Sequence, residues 1–232
     1  MINGEGWRKF NIWAHSSIVR DLYARRCRLE AEEMTCHAQA ASLLAPHVTP
    51  GDSLLDAGCG SGYFFHSLRK RGIEVDYLGI DATECLIDLG KKCLPVFGLQ
   101  PDNLRTLRIE DLSGSVDHTV CINVLSNIDN YHRPLERLLL ASRKTVILRE
   151  SCNEVAEYAY VKDCFLDEGV DLKVHVNTYS TAEFVRFIES YGFDVMVVRD
   201  ERAADSAEMV IGHPHYWKFF VAIRKTAKHR EL

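Results

Sequence analysis

The apolar positions of this chain fall into two kinds of run. From roughly Asn11 to Leu44 they are spaced among many charges (Ile18, Leu22, Leu29, Met34, Leu43), and neither Pro nor Gly interrupts the stretch before Pro46, so it reads as helical. Thr49-Pro50-Gly51 is a turn signal that resets the pattern. Beyond it, short β-forming runs alternate with helical ones. Ser53-Leu54-Leu55-Asp56 is a first strand, and Phe64 to Arg71 a helix stopped by Gly72. Val75 to Ile80 is a second strand, Thr83 to Cys93 a second helix, Leu104 to Ile109 a third strand and His118 to Asn123 a fourth. Pro134 opens a helix to Ser142, and Thr145 to Leu148 is a fifth strand. Strands that alternate with helices make parallel crossovers, with helices on both faces of the sheet.

The end of the chain breaks this rhythm. Ser180-Thr181-Ala182-Glu183 has capping-box spacing and starts a helix through Tyr191, closed by Gly192. Phe193 to Arg199 and Trp217 to Arg224 then form two strands with only a loop between them, which forces an antiparallel pairing. The expected architecture is a doubly wound α/β fold: a mainly parallel seven-stranded sheet with a terminal antiparallel pair, plus N-terminal helices. The boundaries are an appendage over 1–45, one domain over 46–226 and a charged tail over 227–232.

The 232 residues suffice for one such domain, and 47% hydrophobic content supports a real core. The net charge of -5 argues against a protein that coats nucleic acid. Eight cysteines without Cys-x-x-Cys spacing read as small core residues in a reducing compartment, not as metal ligands. Met1 to Phe10 carries no apolar signal region and no run approaches the roughly 18 apolar residues of a membrane span, so a cytoplasmic location is expected.

The most informative segment is Asp56-Ala57-Gly58-Cys59-Gly60-Ser61-Gly62-Tyr63, which leaves a strand and enters a helix. Its glycines allow a tight turn and close approach to a ligand. A dinucleotide fingerprint would need its third Gly at position 63, which is Tyr, and an acid at position 56 suits a cationic ligand better than a pyrophosphate. Asp81 ends the second strand about 20 residues further on, where an acid accepts hydrogen bonds from ribose hydroxyls or caps the next helix. Together these segments resemble the class I, Rossmann-like family of S-adenosylmethionine-dependent methyltransferases. The resemblance covers about 49–224.

That resemblance implies that Asp56, Gly58, Gly60, Gly62 and Asp81 bind the cofactor. It also implies that Asp111, or Glu110 beside it, meets the adenine at the end of strand three, and that Asn123 borders the cofactor after strand four. The product would be S-adenosylhomocysteine. The chain departs from many small-molecule members at Asn127, where they carry a His that is sometimes catalytic.

Methyl transfer from a sulfonium needs mostly positioning, exclusion of water and, for a protonated nucleophile, a base. Arg149 and Glu150 follow strand five at the edge of the crevice. Glu150 is the candidate base, and Arg149 a candidate anchor for a substrate carboxylate or phosphate. His175, Tyr179, His213, His215 and Tyr216 are further polar candidates, and no metal site is expected. The stretch from Glu154 to Asn177, expected to be partly helical and aromatic, could cover the pocket together with Trp7, Phe10 and Trp13.

The expected activity is methyl transfer to an O or N atom of a small molecule. A non-catalytic S-adenosylmethionine-binding regulator or partner subunit is the alternative. A nucleic-acid methyltransferase is disfavoured, because the turn after strand four reads Asn123-Val124-Leu125-Ser126 and not Asn/Asp-Pro-Pro-aromatic. A nicotinamide-dependent dehydrogenase is disfavoured by Tyr63.

Overall fold

The computed structural model describes residues 6–225, so the charged tail over 227–232 lies outside it. Short 3-10 turns at Gly6–Phe10 and Ile12–His15 lead into α1 (Ser17–Cys27) and α2 (Thr35–Leu44). The alternating region follows: β1 (Ser53–Ala57), α3 (Phe64–Lys70), β2 (Asp76–Asp81), α4 (Glu84–Cys93), β3 (Leu104–Thr106), β4 (Val116–Ile122), α5 (His132–Ala141) and β5 (Ser142–Asn153). The last part comprises β6 (Tyr160–Lys162), β7 (Lys173–His175), β8 (Tyr179–Ser180), α6 (Thr181–Ser190), β9 (Phe193–Arg199), β10 (Glu208–Val210), β11 (His213–His215) and β12 (Trp217–Arg224).

The main path of the sheet is β3-β2-β1-β4-β5-β12-β9, with the short β8 beside the far end of β5. The strands from β3 to β5 run parallel. β12 is antiparallel to β9, as expected, and it is also inserted antiparallel against β5. β5 runs five residues beyond the expected Leu148, because β12 supplies partners as far as Ser151.

Alternation along the strands divides the core into two layers. Leu54, Val120, Ile147, Phe219 and Val221 face one side, under α2, α3 and α4. Leu55, Cys121, Val146, Leu148, Phe220 and Ala222 face the other, under α5 and α6. Helix α2 belongs to the first layer: Cys36, Ala40, Ala41 and Leu44 pack with Leu54, Phe64 and Phe219. The expected boundary at residue 45 therefore does not separate two packed units.

The stretch from Glu154 to Asn177 holds no helix. It forms the antiparallel hairpin β6–β7, in which Val161 pairs with Val174. Both valines pack against Ile12 and Trp13, because a two-stranded ribbon must bury its apolar face on something outside itself. The hairpin and the segment carrying Ile12 and Trp13 thus make one cover.

Candidate functional site

The order of the strands reverses between β1 and β4, which opens a crevice at their carboxyl ends. At the end of β1, Gly58 and Gly60 adopt φ of +73° and +57°. The Gly58 and Cys59 N–H groups donate to the Ile80 carbonyl at 2.8 and 3.0 Å, tying the loop to β2. A Cβ on Gly58 would lie 2.3 Å from a Val124 methyl, and one on Gly60 would lie 2.2 Å from the Tyr23 ring. Gly62 also has positive φ, but its bare side faces Leu104 and Leu94 of the core and not the crevice.

Asp81 braces this loop. One carboxylate oxygen accepts from Gly60 N–H at 2.8 Å and the other from Thr83 N–H at 2.7 Å, so Asp81 holds the loop and the start of α4 together. Asp56 is buried beneath the crevice and accepts from the Tyr77 hydroxyl at 2.5 Å. Burial pushes its carboxyl up to about 7; the Tyr77 hydrogen bond opposes the shift and the charge of Asp81 adds to it.

At the other end the register differs from the first expectation. Glu110 lines the cavity, 3.1 Å from Arg108, whereas Asp111 is exposed and does not line it. Ile109–Asp111 is a single 3-10 turn, which rotates adjacent side chains apart.

The two charged residues of β5 are both engaged in structure. Glu150 is fully buried and does not line the cavity. Its carboxylate accepts from Val124, Leu125 and Ser126 N–H at 3.1, 2.9 and 2.8 Å and from the Ser126 hydroxyl at 2.7 Å. Burial raises its pKa, opposed by these hydrogen bonds. Glu150 is therefore a clamp on the turn after β4, and the expectation that it deprotonates an acceptor is corrected. Arg149 is not a free anchor either: its Nε meets Asp200 at 2.7 Å, its Nη1 meets Asn123 Oδ1 at 2.5 Å, and its guanidinium lies 4.4 Å from the Trp217 ring centre. Asn123 lines the cavity with φ of +59°, its N–H held by the Arg149 carbonyl at 2.9 Å.

Of the other polar candidates, His175 lines the cavity and stacks on Tyr160 at 4.5 Å. His213, His215, Tyr179 and Tyr216 do not line it. His215 is wholly buried, with neither ring nitrogen bonded among the described residues. Among those residues no group of three or more His, Cys, Asp or Glu is arranged to hold a metal ion.

Several cavity residues carried no sequence signal. Tyr23 and Arg26 of α1, and Met34 and His37 at the start of α2, form one wall. Arg26 Nη1 donates to the Tyr63 hydroxyl at 3.0 Å, and its guanidinium sits between the Tyr23 and Tyr63 rings. His37 stacks on Tyr63 at 4.8 Å; burial, with Arg26 nearby, lowers its pKa to about 3. Trp7, Phe10 and Trp13, which were expected to help cover the pocket, line it together with Tyr160 and His175. The cavity volume is about 750 Å³.

Comparison with known proteins fits this geometry. Residues 55–144 match the family model described as a methyltransferase domain. The ubiquinone biosynthesis O-methyltransferase of Acinetobacter baumannii is 29% identical over 82 residues, covering 34% of each protein, so the matching stretch spans about a third of that relative. Among solved structures, magnesium protoporphyrin IX methyltransferase from Synechocystis with bound S-adenosylmethionine superposes with a TM-score of 0.57 at 17% identity, covering 96% of this chain and 93% of that one. An S-adenosylmethionine-dependent methyltransferase from Clostridium acetobutylicum gives 0.59 at 11% identity, covering 89% and 97%.

Sheet order and loop geometry define a doubly wound α/β domain with a reversed strand next to its edge. With the match of residues 55–144 to a methyltransferase domain, the chain is similar in sheet order and loop geometry to class I S-adenosylmethionine-dependent methyltransferases.

Proposed function

We propose that this protein moves the methyl group of S-adenosylmethionine onto an oxygen or nitrogen atom of a small organic molecule. The observation that carries the reading is the cradle at the switch point: Gly58 and Gly60 in left-handed conformations that admit no Cβ, braced by Asp81 and opening into the 750 Å³ cavity. The donor set suits an elongated cation with a ribose at its middle. Asp81 stands where ribose hydroxyls are bound, Glu110 at the adenine end, and the Asn123 main chain at the end of β4. Arg26, beside Tyr63 and without a carboxylate partner among the described residues, is the group available to a carboxylate at the methionine end. Asp56 supplies negative charge under the loop.

The bound cofactor supplies an electrophilic methyl on a good leaving group. The protein's part is to orient the acceptor and keep water out, through the cover formed by Ile12, Trp13, Val161 and Val174. Cavity-lining aromatics and the net charge of -5 favour a small-molecule acceptor over nucleic acid, in keeping with the relatives named above. The eight unpaired cysteines, with no helix among the described residues long and apolar enough to cross a membrane, support the reading of a reducing, cytoplasmic setting.

The test is turnover of labelled S-adenosylmethionine with a panel of small-molecule acceptors, preceded by binding of S-adenosylhomocysteine. Binding with no transfer to any acceptor would favour the non-catalytic regulator, a reading to which the locked Glu150 lends some weight.

A further inference from the structure

The wall that the cofactor surface leaves free has an unusual composition. Trp13, Tyr160, Val174, His175, Val210 and Trp217 face the cavity there, and none is acidic. Lys173 sits above the Tyr160 ring at 5.7 Å and is exposed, and Asp129 stands exposed at the rim. Flat rings stack on such a wall. Two asparagines at the ends of the turn after β4, Asn123 and Asn127, supply its polar edge.

The amide of each asparagine can be oriented in only one way. Asn123 Oδ1 accepts a hydrogen bond from Arg149 Nη1, and a guanidinium can only donate, so the atom facing it is oxygen and Asn123 Nδ2 is left as a donor. Asn127 Nδ2 donates to the His175 carbonyl at 3.0 Å, and a carbonyl can only accept, so Asn127 Oδ1 is left as an acceptor. Neither free atom has a partner among the described residues, and neither is buried out of reach. The turn that carries both is rigid: Glu150 holds the N–H groups of residues 124–126, and the Tyr179 hydroxyl donates to the Leu125 carbonyl at 2.5 Å.

We infer that the methyl acceptor is a neutral, planar nitrogen heterocycle, stacked on the aromatic wall and read along one edge by the Asn123 Nδ2 donor and the Asn127 Oδ1 acceptor. This inference rests on the cavity being a methyl-transfer site. Asn127 accepts the N–H of the ring and so fixes the plane in which the nucleophile presents its lone pair. An amide oxygen does not take a proton at neutral pH, so its role is orientation.

The experiment uses the full chain saturated with S-adenosylhomocysteine, a condition established first by calorimetry. Three probes are then titrated: carbostyril, a flat lactam with one N–H and one C=O; N-methylcarbostyril, which lacks the N–H; and naphthoate, a flat anion. Carbostyril should bind at least about tenfold more tightly than the other two, because a site built around a hydrogen bond rejects ligands that leave it unpaired. Asn127→Ala should abolish the difference between the lactam and its N-methyl form. Asn127→Asp, which keeps an acceptor oxygen but loses the bond to His175, should retain it, and this separates ligand recognition from mere anchoring of the hairpin. Equal affinities for the two lactams, tighter binding of naphthoate, or no saturable binding of carbostyril would overturn the inference while leaving the methyltransferase reading intact. Failure of the wild-type protein to bind S-adenosylhomocysteine at all would overturn that reading instead.

Discussion

Asp81 and Glu150 show how the same side-chain chemistry serves two purposes. Asp81 grips two backbone N–H groups from inside the cavity. Asp81→Ala should weaken S-adenosylhomocysteine binding by at least about 1.5–3 kcal/mol, the scale of hydrogen bonds to a charged group; calorimetry on the folded variant checks this, and an unchanged affinity would reduce Asp81 to a cap. Glu150 grips the turn after β4 from behind. Glu150→Gln puts an amide N–H₂ against donors that need an acceptor, so it should destabilise the fold by about 2–3 kcal/mol in urea unfolding while the pH–rate profile keeps its shape. A stable variant whose profile loses a limb would restore the base assignment. Asp56 titrates with a definite sign. Its folded pKa of about 7 lies above the unfolded value of 3.8, so its contribution to stability is complete below 3.8 and is lost as pH rises through about 7. The cofactor-free wild type should therefore lose stability relative to Asp56→Asn as pH rises from about 3.8 to about 7, measured as the difference in urea midpoints.

Among the elements, the N-terminal helices divide in function. Ile12 and Trp13 belong to the cover, whereas α2 buries Leu44, Ala40 and Ala41 in the sheet's own core and ties Gln39 to the Arg199 carbonyl and the Glu201 N–H. Burying one Leu contributes about 1.5–3 kcal/mol against a total stability of about 5–15 kcal/mol. A chain beginning at Ser16 should fold, bind S-adenosylhomocysteine and lose turnover; one beginning at Ala45 should fail to give a cooperative thermal transition. Equal behaviour of the two would contradict the assignment of α2 to the core. The strands, helices and glycine loop were legible because each depends on neighbours close in sequence: Leu54 beside Leu55 marks a strand buried on both faces, and Ser180 three residues before Glu183 marks a cap. The β6–β7 hairpin was not, because Val161 and Val174 share their apolar cluster with Ile12, Trp13 and Ile211, far away in the chain.

At the scale of the whole molecule, the glycine-loop side of the cavity was legible in the sequence and the aromatic side was legible only in part. Gly58, Gly60 and Asp81 follow from spacing along one β-α-β unit. Arg149 and Glu150 lie within the buried strand β5, where β12 and the turn after β4 engage them, and neither lines the cavity. Arg26, His37, Tyr160 and Trp217 come together from opposite ends of the chain. The central claim is that this assembled cavity receives S-adenosylmethionine. Calorimetric titration of the full chain with S-adenosylmethionine, S-adenosylhomocysteine and NAD tests it most directly. Saturable binding of the first two at one site per chain, with none of NAD, is the predicted result; binding of NAD with no binding of either sulfur nucleoside would contradict it.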